Sequence, residues 1–262
     1  MNPLLRYPGG KSRQAKDIVS ILGPSDLFVE PFVGGGSVAL EYAIRHPSAE
    51  IVLMDANPLL SSFWNAVVFE PRKLCSVLEH PTLDIFNQQL AYCGNDTILL
   101  AKKCLTINKC SFNGYMHPAA TPVGGKNQTG KWLIDWCWQT PKIASRIMDI
   151  HNLLAGRTTV SDDTSIGVIG SFGEKSVIYL DPPYFKEGPK LYNDFGVFDH
   201  KLLSDVLRGS KSRWLLSYDD MPEIRELYNE FNVLNIEVLA SRKIVDGKMK
   251  KNNELIITNF NV

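Results

Sequence analysis

A strand, a glycine-rich turn and a helix follow one another near the start of the chain, and this order constrains the fold most. The apolar run 27–32 predicts a buried strand, and residues 38–44 have the apolar spacing of a helix. Between them, residues 33–37 read Val-Gly-Gly-Gly-Ser, and glycines let the backbone approach a ligand closely. The sequence therefore predicts an open α/β sheet with a nucleotide-binding turn, although the spacing is not the Gly-x-Gly-x-x-Gly pattern of dinucleotide sites.

A second apolar run, 51–54, ends at Asp55, 19 residues after Gly36. An acidic residue at about that distance is placed to accept hydrogen bonds from ribose hydroxyls. We therefore expect Asp55 to bind a ribose. The simpler alternative is a carboxylate that only caps the next turn.

Residues 181–184 read Asp-Pro-Pro-Tyr and directly follow the apolar run 177–180. Open α/β sheets bind ligands at the carboxyl ends of their strands. Proline has a fixed φ and no N–H, so the backbone carbonyls here are free to accept hydrogen bonds from a ligand. Asp181 and the Pro182 carbonyl would accept both hydrogens of an exocyclic amino group, with Tyr184 stacked on the ring. The alternative is a proline turn that merely ends the strand.

Residues 6–11 read Arg-Tyr-Pro-Gly-Gly-Lys. Pro-Gly-Gly excludes a helix interior and a central strand, so the segment is predicted to be a loop. Its closing cation, Lys11, suits a carboxylate. A mobile N-terminal arm is the alternative.

Taken in order, these motifs resemble the Dam-like, D12 class, family of N6-adenine DNA methyltransferases. The likeness runs from residue 4 to residue 260 and includes four further segments: 191–192, 198–200, 216–219 and 253–259. It implies an α/β fold, a Rossmann-like S-adenosylmethionine-dependent methyltransferase sheet with a terminal antiparallel hairpin. It also implies a mainly helical target-recognition insert.

The resemblance implies S-adenosyl-L-methionine as the methyl donor and N6-methyladenine in DNA as the product. The residues implied to bind the donor lie in the N-terminal loop, the glycine turn and two strand ends: Tyr7, Pro8, Gly9, Gly10, Lys11, Phe32, Gly34, Gly36, Ser37, Asp55 and Asp181. Asp162 or Asp163 is implied near the donor's adenine, and the choice stays open. Asp181, Pro182 and Tyr184 are the implied catalytic residues, and no metal is implied.

Residues 108–114 resemble the family segment that enters the DNA, and residues 122–125 stand where the family has a Pro-Phe-Gly loop at the bases. Four residues after Asn113, relatives that methylate GATC carry a base-reading arginine, whereas this chain has His117. Arginine reads guanine with two hydrogen bonds, a discrimination of about 1–3 kcal/mol. Histidine makes one such bond, so specificity for GATC is not implied. The predicted DNA contacts are Arg6, Asn113, His117, Pro122 and Lys126.

The alternation of strands and helices stops after about residue 60 and resumes near residue 157. We therefore predict a catalytic, donor-binding domain from residues 1–60 and 157–262, with a helical target-recognition insert at 61–156. Within the insert, residues 108–131 are rich in Gly, Asn, Thr and Pro and are predicted to form a loop or hairpin. A turn is expected near residues 246–247, between the last two strands. The formal net charge is zero, with 28 basic and 28 acidic residues. The basic residues cluster, eight against two acidic within 101–157 and five against one within 242–251. Such clusters suit a phosphate backbone, and solvated helical faces also show them.

The predicted partner is double-stranded DNA, with a cognate restriction endonuclease as a further candidate, for a monomer or weak dimer. Five scattered cysteines without a Cys-x-x-Cys pattern predict reduced thiols and a cytoplasmic location. No signal segment or long apolar run is visible, so no membrane association is expected. Three alternatives remain: an N4-cytosine methyltransferase, an RNA or protein N-methyltransferase, and a catalytically silent DNA-binding protein. The first usually carries serine at the position of Asp181.

Overall fold

The computed structural model describes the chain except for residues 2, 8, 115, 165, 186–197 and 246–247, and it leaves the side chains of 113 and 237–252 undescribed. Within the described residues, seven strands form one sheet: β1 (Leu27–Glu30), β2 (Glu50–Met54), β3 (Thr158–Ser161), β4 (Ser176–Leu180), β5 (Arg213–Asp219), β6 (Asn232–Val245) and β7 (Lys248–Thr258). The strand order is β3-β2-β1-β4-β5-β7-β6. Strands β1 to β5 are parallel, and β7 runs antiparallel to both β5 and β6. The predicted Rossmann-like sheet with a terminal antiparallel hairpin is confirmed. The hairpin turn expected at 246–247 lies outside the described residues.

Helices flank the sheet and fill the interval between β2 and β3. They are α1 (Ala15–Leu22), α2 (Ser37–Arg45), α3 (Pro58–Phe69), α4 (Pro71–Ser76), α5 (Leu83–Ala91), α6 (Thr97–Cys110), α7 (Thr140–Leu154), α8 (Ile166–Gly170), α9 (His200–Gly209) and α10 (Pro222–Leu227). Local chemistry sets where several begin. The side chains of Asn57, Thr82 and Asp96 accept backbone N–H bonds at the starts of α3, α5 and α6. Proline is the first residue of α3, α4 and α10 and the second residue of α7.

The central strands are buried on both faces because successive side chains point to opposite sides of a sheet. In β1, Phe28 packs into the core shared with α1, α2, α3 and α7, while Val29 packs into the core shared with α9 and α10. In β4, Val177 and Ile178 alternate in the same way. These near-continuous apolar runs made the parallel strands recognisable from the sequence.

The chain direction across the sheet reverses between β1 and β4. From β1 the chain builds outward through β2 to β3, whereas β4 and β5 extend the sheet on the other side. Ligands of open α/β sheets bind at such a switch point, outside the carboxyl ends of the strands. The glycine turn after β1 and the Asp-Pro-Pro-Tyr segment after β4 both lie there.

One predicted boundary differs from the structure. A loop or hairpin was expected from residue 108 to residue 131, but α6 continues to Cys110 and a 3₁₀ turn follows at Phe112–Gly114. The extension has a physical cause, because the Arg6 guanidinium donates to the carbonyls of Asn108 and Lys109 at the end of the helix. No helix among the described residues has the length and apolar character needed to cross a membrane.

Candidate active site

The glycine turn is shaped by two aromatic side chains. Gly36 has φ +67°, and a Cβ there would lie 2.3 Å from the Trp64 ring. Gly34 has φ +46°, and a Cβ there would lie 2.9 Å from the Tyr7 ring. Trp64 also donates its indole N–H to the Gly34 carbonyl at 3.0 Å. Both glycines are therefore required by left-handed backbone and by close packing, and Ser37 starts α2 directly after them.

Asp55 lies beside this turn at the carboxyl end of β2. One carboxylate oxygen accepts the Gly34 N–H at 2.9 Å, and the other accepts the Asn57 N–H at 3.0 Å. Burial raises the pKa of Asp55 from 3.8 to about 6, against the lowering effect of these two bonds. Each oxygen retains a lone-pair site, so the carboxylate can accept hydroxyl hydrogens from a bound ribose.

Asp181 is paired with Lys11. The Lys11 ammonium lies 2.8 Å from both carboxylate oxygens of Asp181 and donates to the Tyr184 hydroxyl at 2.9 Å. Only 3% of the Lys11 side chain and 21% of the Asp181 side chain are exposed. Burial raises the pKa of Asp181, and Lys11 acts in the opposite direction. Lys11 therefore opposes the effect of burial on the pKa of this acceptor. The sequence indicated a carboxylate partner for Lys11 but not that this partner is Asp181.

Further carboxyl groups surround this pair. Glu254 of β7 places Oε2 3.9 Å from the Lys11 ammonium, and this buried oxygen has no hydrogen-bond partner among the described residues. Glu30 at the end of β1 accepts the Ala39 N–H at 2.8 Å, and burial raises its pKa well above the usual value. The N-terminal loop thus inserts its cation into an acidic environment built from several strand ends.

Aromatic rings border the carboxyl edge of β4 and β5. Tyr184 packs near Tyr218, with ring centroids 6.1 Å apart, and Phe32 meets Phe198 edge-on at 5.7 Å. The backbone N–H of Phe185 donates to Asp219 at 3.1 Å and fixes the chain after the prolines. A carboxylate next to flat aromatic surfaces can hold a planar heterocycle by its amino group.

The N-terminal loop also bonds to the helical segment. The Arg6 backbone N–H donates to the Asn108 side chain at 2.8 Å, and that side chain donates back to the Arg6 carbonyl at 2.8 Å. A Cβ at Gly114 would lie 2.5 Å from the Arg6 carbonyl. Lys11 is bonded to Asp181 at the other end of this loop, so the mobile-arm alternative is wrong for its described residues. The DNA contact expected of Arg6 stays a prediction, since its guanidinium caps α6.

The other residues predicted to bind the methyl donor lie in the N-terminal loop and after β3 and β4. The Gly9 carbonyl accepts from Lys11 at 3.1 Å, and the Gly10 N–H donates to the Tyr7 carbonyl at 3.0 Å. Pro8 lies outside the described residues. Asp162 and Asp163 are exposed just after β3, and Pro182 is buried just after Asp181.

Four of the five residues predicted to contact DNA lie on the turn after α6, and the fifth is Arg6. Pro122 is buried and forms a bridge with Ser111. The His117 ring accepts the Ala119 N–H at 3.0 Å, and Lys126 is exposed. The side chain of Asn113 is not described.

Two features escaped the reasoning from sequence. Phe112 is 67% exposed, beside the residues predicted to read bases. Glu254 belongs to a segment that was recognised, yet its place at the site depends on β7 pairing with β5, where it lies opposite Asp219. The aromatic residue inside the Asn-Lys-x-x-Phe-Asn-Gly segment could have indicated Phe112 as a candidate. The register of β7 against β5, which positions Glu254, could not be predicted from the sequence.

Three curated relatives are similar in sequence. An Escherichia phage P1 protein named DNA N-6-adenine-methyltransferase is 28% identical across 94% of this chain, which spans about a third (33%) of that relative's length. A type II methyltransferase of Lactococcus lactis subsp. cremoris is 24% identical, covering 99% of this chain and 96% of its own. A DNA adenine methylase of Vibrio cholerae is 26% identical, covering 91% and 89%.

A solved precorrin-6y C5,15-methyltransferase of Geobacter metallireducens aligns over 94% of this chain and 87% of its own, at 10% identity and a TM-score of 0.40, too weak a likeness to argue from. The sequence profile of a family described as D12 class N6 adenine-specific DNA methyltransferase matches residues 7–119 and 142–241, well over half of the chain. With the sheet order and the motif positions established above, the chain belongs to the D12 class N6 adenine-specific DNA methyltransferase family.

Proposed function

We propose that this chain transfers the methyl group of S-adenosylmethionine to N6 of an adenine turned out of duplex DNA. The observation that carries the proposal is the Asp181 carboxylate, held by Lys11 beside Tyr184 at the carboxyl end of β4. This places a fixed acceptor and an aromatic face where α/β sheets bind their ligands.

The residues at the glycine turn fit the donor. Asp55 offers carboxylate oxygens that Gly34 and Asn57 already orient, as ribose hydroxyls require. The Tyr7 ring packs into the space beside Gly34 that a side chain would otherwise take, so this ring borders the proposed donor site. When bound, S-adenosylmethionine supplies an activated methyl group, so the protein mainly has to position the two reactants.

The chain's own groups would act on the amino nitrogen. Asp181 and the Pro182 carbonyl accept its two hydrogens, which favours a tetrahedral nitrogen whose lone pair can attack the methyl carbon. The N–C bond forms as the sulfur–carbon bond breaks, and the extra proton leaves the nitrogen through Asp181. Tyr184 holds the base plane. Lys11 lowers the pKa of Asp181 against the effect of burial, which favours the ionised, accepting form.

Residues 61–156 are proposed as the target-recognition insert, with 108–125 nearest the bases and His117 as a reader of one base pair. Base contacts specify a sequence, whereas phosphate contacts position the protein. Phe112 would insert into the gap that the adenine leaves between its neighbouring base pairs. An exposed apolar side chain stabilises base-pair steps that have lost their stacking. The name of the Lactococcus relative supports a restriction–modification role, and a cognate endonuclease is accordingly part of the proposal.

Methyl transfer from tritiated S-adenosylmethionine tests the proposal directly. Duplex DNA should accept the label and RNA should not, and nucleoside analysis should find the label in N6-methyladenine. Label in N4-methylcytosine or in RNA would replace the proposed substrate. No transfer, with intact donor and DNA binding, would indicate a catalytically silent DNA-binding protein.

A further inference from the structure

Large apolar side chains are exposed on one turn between the Pro122 loop and α7. Trp132, Leu133 and Trp136 are 55%, 46% and 48% exposed, and the two tryptophan rings lie 5.3 Å apart. We call Lys131 and these three residues the tryptophan patch. Single exposed apolar residues are ordinary, but neighbouring tryptophans on one turn indicate an interaction surface.

The turn that carries the patch is anchored. The Gln128 side chain donates to the Val123 and Gly125 carbonyls, both at 2.8 Å, and accepts the Ile134 N–H at 2.9 Å. Ile134 and Trp138, on either side of Trp136, are buried. The exposed rings are therefore presented by a segment that the protein interior holds in place, so little order has to be gained on binding.

The charge near the patch favours nucleic acid as the occupant. The Lys131 ammonium lies 5.4 Å from the centre of the Trp132 ring, and Lys126 is exposed on the same turn. The nearby carboxylate, Asp135, is engaged by His80 at 3.1 Å. On duplex DNA, lysines pair with phosphates and flat apolar faces pack against the sugars, and these backbone contacts do not read the sequence.

The patch is continuous with the segment proposed to read bases. The Val123 N–H donates to the Cys110 carbonyl at 2.7 Å, and the Phe112 N–H donates to the Thr121 carbonyl at 2.9 Å. The Cys137 thiol lies 3.2 Å from the Lys109 carbonyl. Yet the family profile leaves residues 120–141 unmatched, so the family assignment says nothing about the patch.

We propose that the tryptophan patch binds duplex DNA flanking the base pairs read by residues 108–125. The inference rests on the proposed function, because it takes DNA as the substrate. It adds a second contact area that raises affinity without choosing the sequence. The patch would then contribute to binding only when the duplex is long enough to reach it.

A duplex-length series with a double variant, Trp132→Ala with Trp136→Ala, tests the inference. On a long duplex the variant should raise the KM for DNA about tenfold while leaving kcat within about twofold. On a duplex that covers only the recognised base pairs, wild type and variant should have the same KM. Phe69→Ala, which removes a 54% exposed aromatic elsewhere, is the matched control and should change neither value.

Equal losses on both duplexes, or no loss on the long one, would overturn the inference. Lys131→Ala keeps both tryptophans and guards against a folding artefact. It should lower the salt slope of binding to the long duplex by about one unit. If wild type self-associates in analytical ultracentrifugation and the double tryptophan variant does not, the patch is a protein interface and the inference is wrong. Fluorescence anisotropy of a labelled duplex, measured without S-adenosylmethionine, reports DNA binding even if no methyl transfer occurs. Failure of this inference can therefore be distinguished from failure of the proposed function.

Discussion

The carboxyl edge of the sheet and the turn after α6, residues 111–138, differ in which of their groups are buried and which are exposed. At the sheet edge, the polar groups are buried and bonded to one another, as with Lys11, Asp181 and Tyr184. On the turn, the backbone is bonded inward and the large side chains face outward, as with Phe112 and Trp132. The first region suits the small planar ligand that we propose for it, and the second exposes enough apolar surface for the proposed contact with DNA.

This difference indicates where a substitution should affect chemistry and where it should affect binding. A partly buried acceptor whose pKa is lowered by a neighbouring cation should respond to the loss of that cation. An exposed ring on an anchored turn can be removed with little consequence for the fold. The variants below test that division, from the largest expected effect to the smallest.

Asp181→Ala should give the largest effect. Removing a preorganised acceptor at the reacting nitrogen should lower kcat by about a hundred- to a thousandfold. DNA binding should persist, and donor binding should weaken less than kcat falls, because the other residues predicted to bind the donor remain. Single-turnover methyl transfer is the measurement, and activity within about tenfold of wild type would remove Asp181 from the catalytic assignment.

Lys11→Gln should change the pH dependence as well as the rate. Burial raises the pKa of Asp181 and Lys11 lowers it, so without the cation the carboxylate becomes protonated at a higher pH. The acidic limb of kcat/KM should therefore move to higher pH, with about a tenfold loss near neutrality. Lys11→Arg is the control that keeps the charge. An unshifted limb in the glutamine variant would show that Lys11 does not tune Asp181.

Asp55→Asn should weaken donor binding by about tenfold, near 1.4 kcal/mol, as measured by calorimetry. Wild-type donor affinity should also fall as the pH drops through about 6, where the carboxylate becomes protonated. Because the pKa of Asp55 is raised in the folded chain, its ionisation costs stability fully above about 6 and not at all below 3.8. The stability of wild type should therefore fall as the pH rises through about 6, and this pH-dependent contribution should be absent from the variant, whose amide does not titrate.

Much of the sheet edge was predictable because its signals are local. Apolar runs marked the parallel strands, and the residues just after them, Asp55 and Asp181, fell at one edge by the geometry of a parallel sheet. The partners of these residues were not local. Lys11 reaches Asp181 across 170 positions. Glu254 comes near them only through the antiparallel pairing of β7 with β5.

The turn after α6 was less predictable. Its family-like segments were recognised, but its conformation depends on a side-chain clamp. Gln128 has φ 51° and holds several backbone groups, and nothing in residue type or spacing marks it for that role. The end of α6 was also missed, because the groups that cap it come from Arg6 near the start of the chain.

His117→Ala should have the smallest effect on overall rate and a selective effect on preference. If the ring reads one base pair, its loss should reduce discrimination there by about 1 kcal/mol, since a single hydrogen bond is lost. Lys126→Ala should weaken binding evenly across sequences and flatten the salt dependence. Methylation rates on duplexes with single base substitutions decide this, and identical preference profiles for wild type and His117→Ala would remove His117 from recognition.

Sequencing of methylated bases in genomic DNA tests the central claim most directly. Cells without their own adenine methylation would express either wild type or Asp181→Ala. We predict N6-methyladenine at one recurring sequence with wild type and none above background with the variant. N4-methylcytosine, or equal adenine methylation in both strains, would contradict the proposal that Asp181 at the end of β4 directs methyl transfer to adenine.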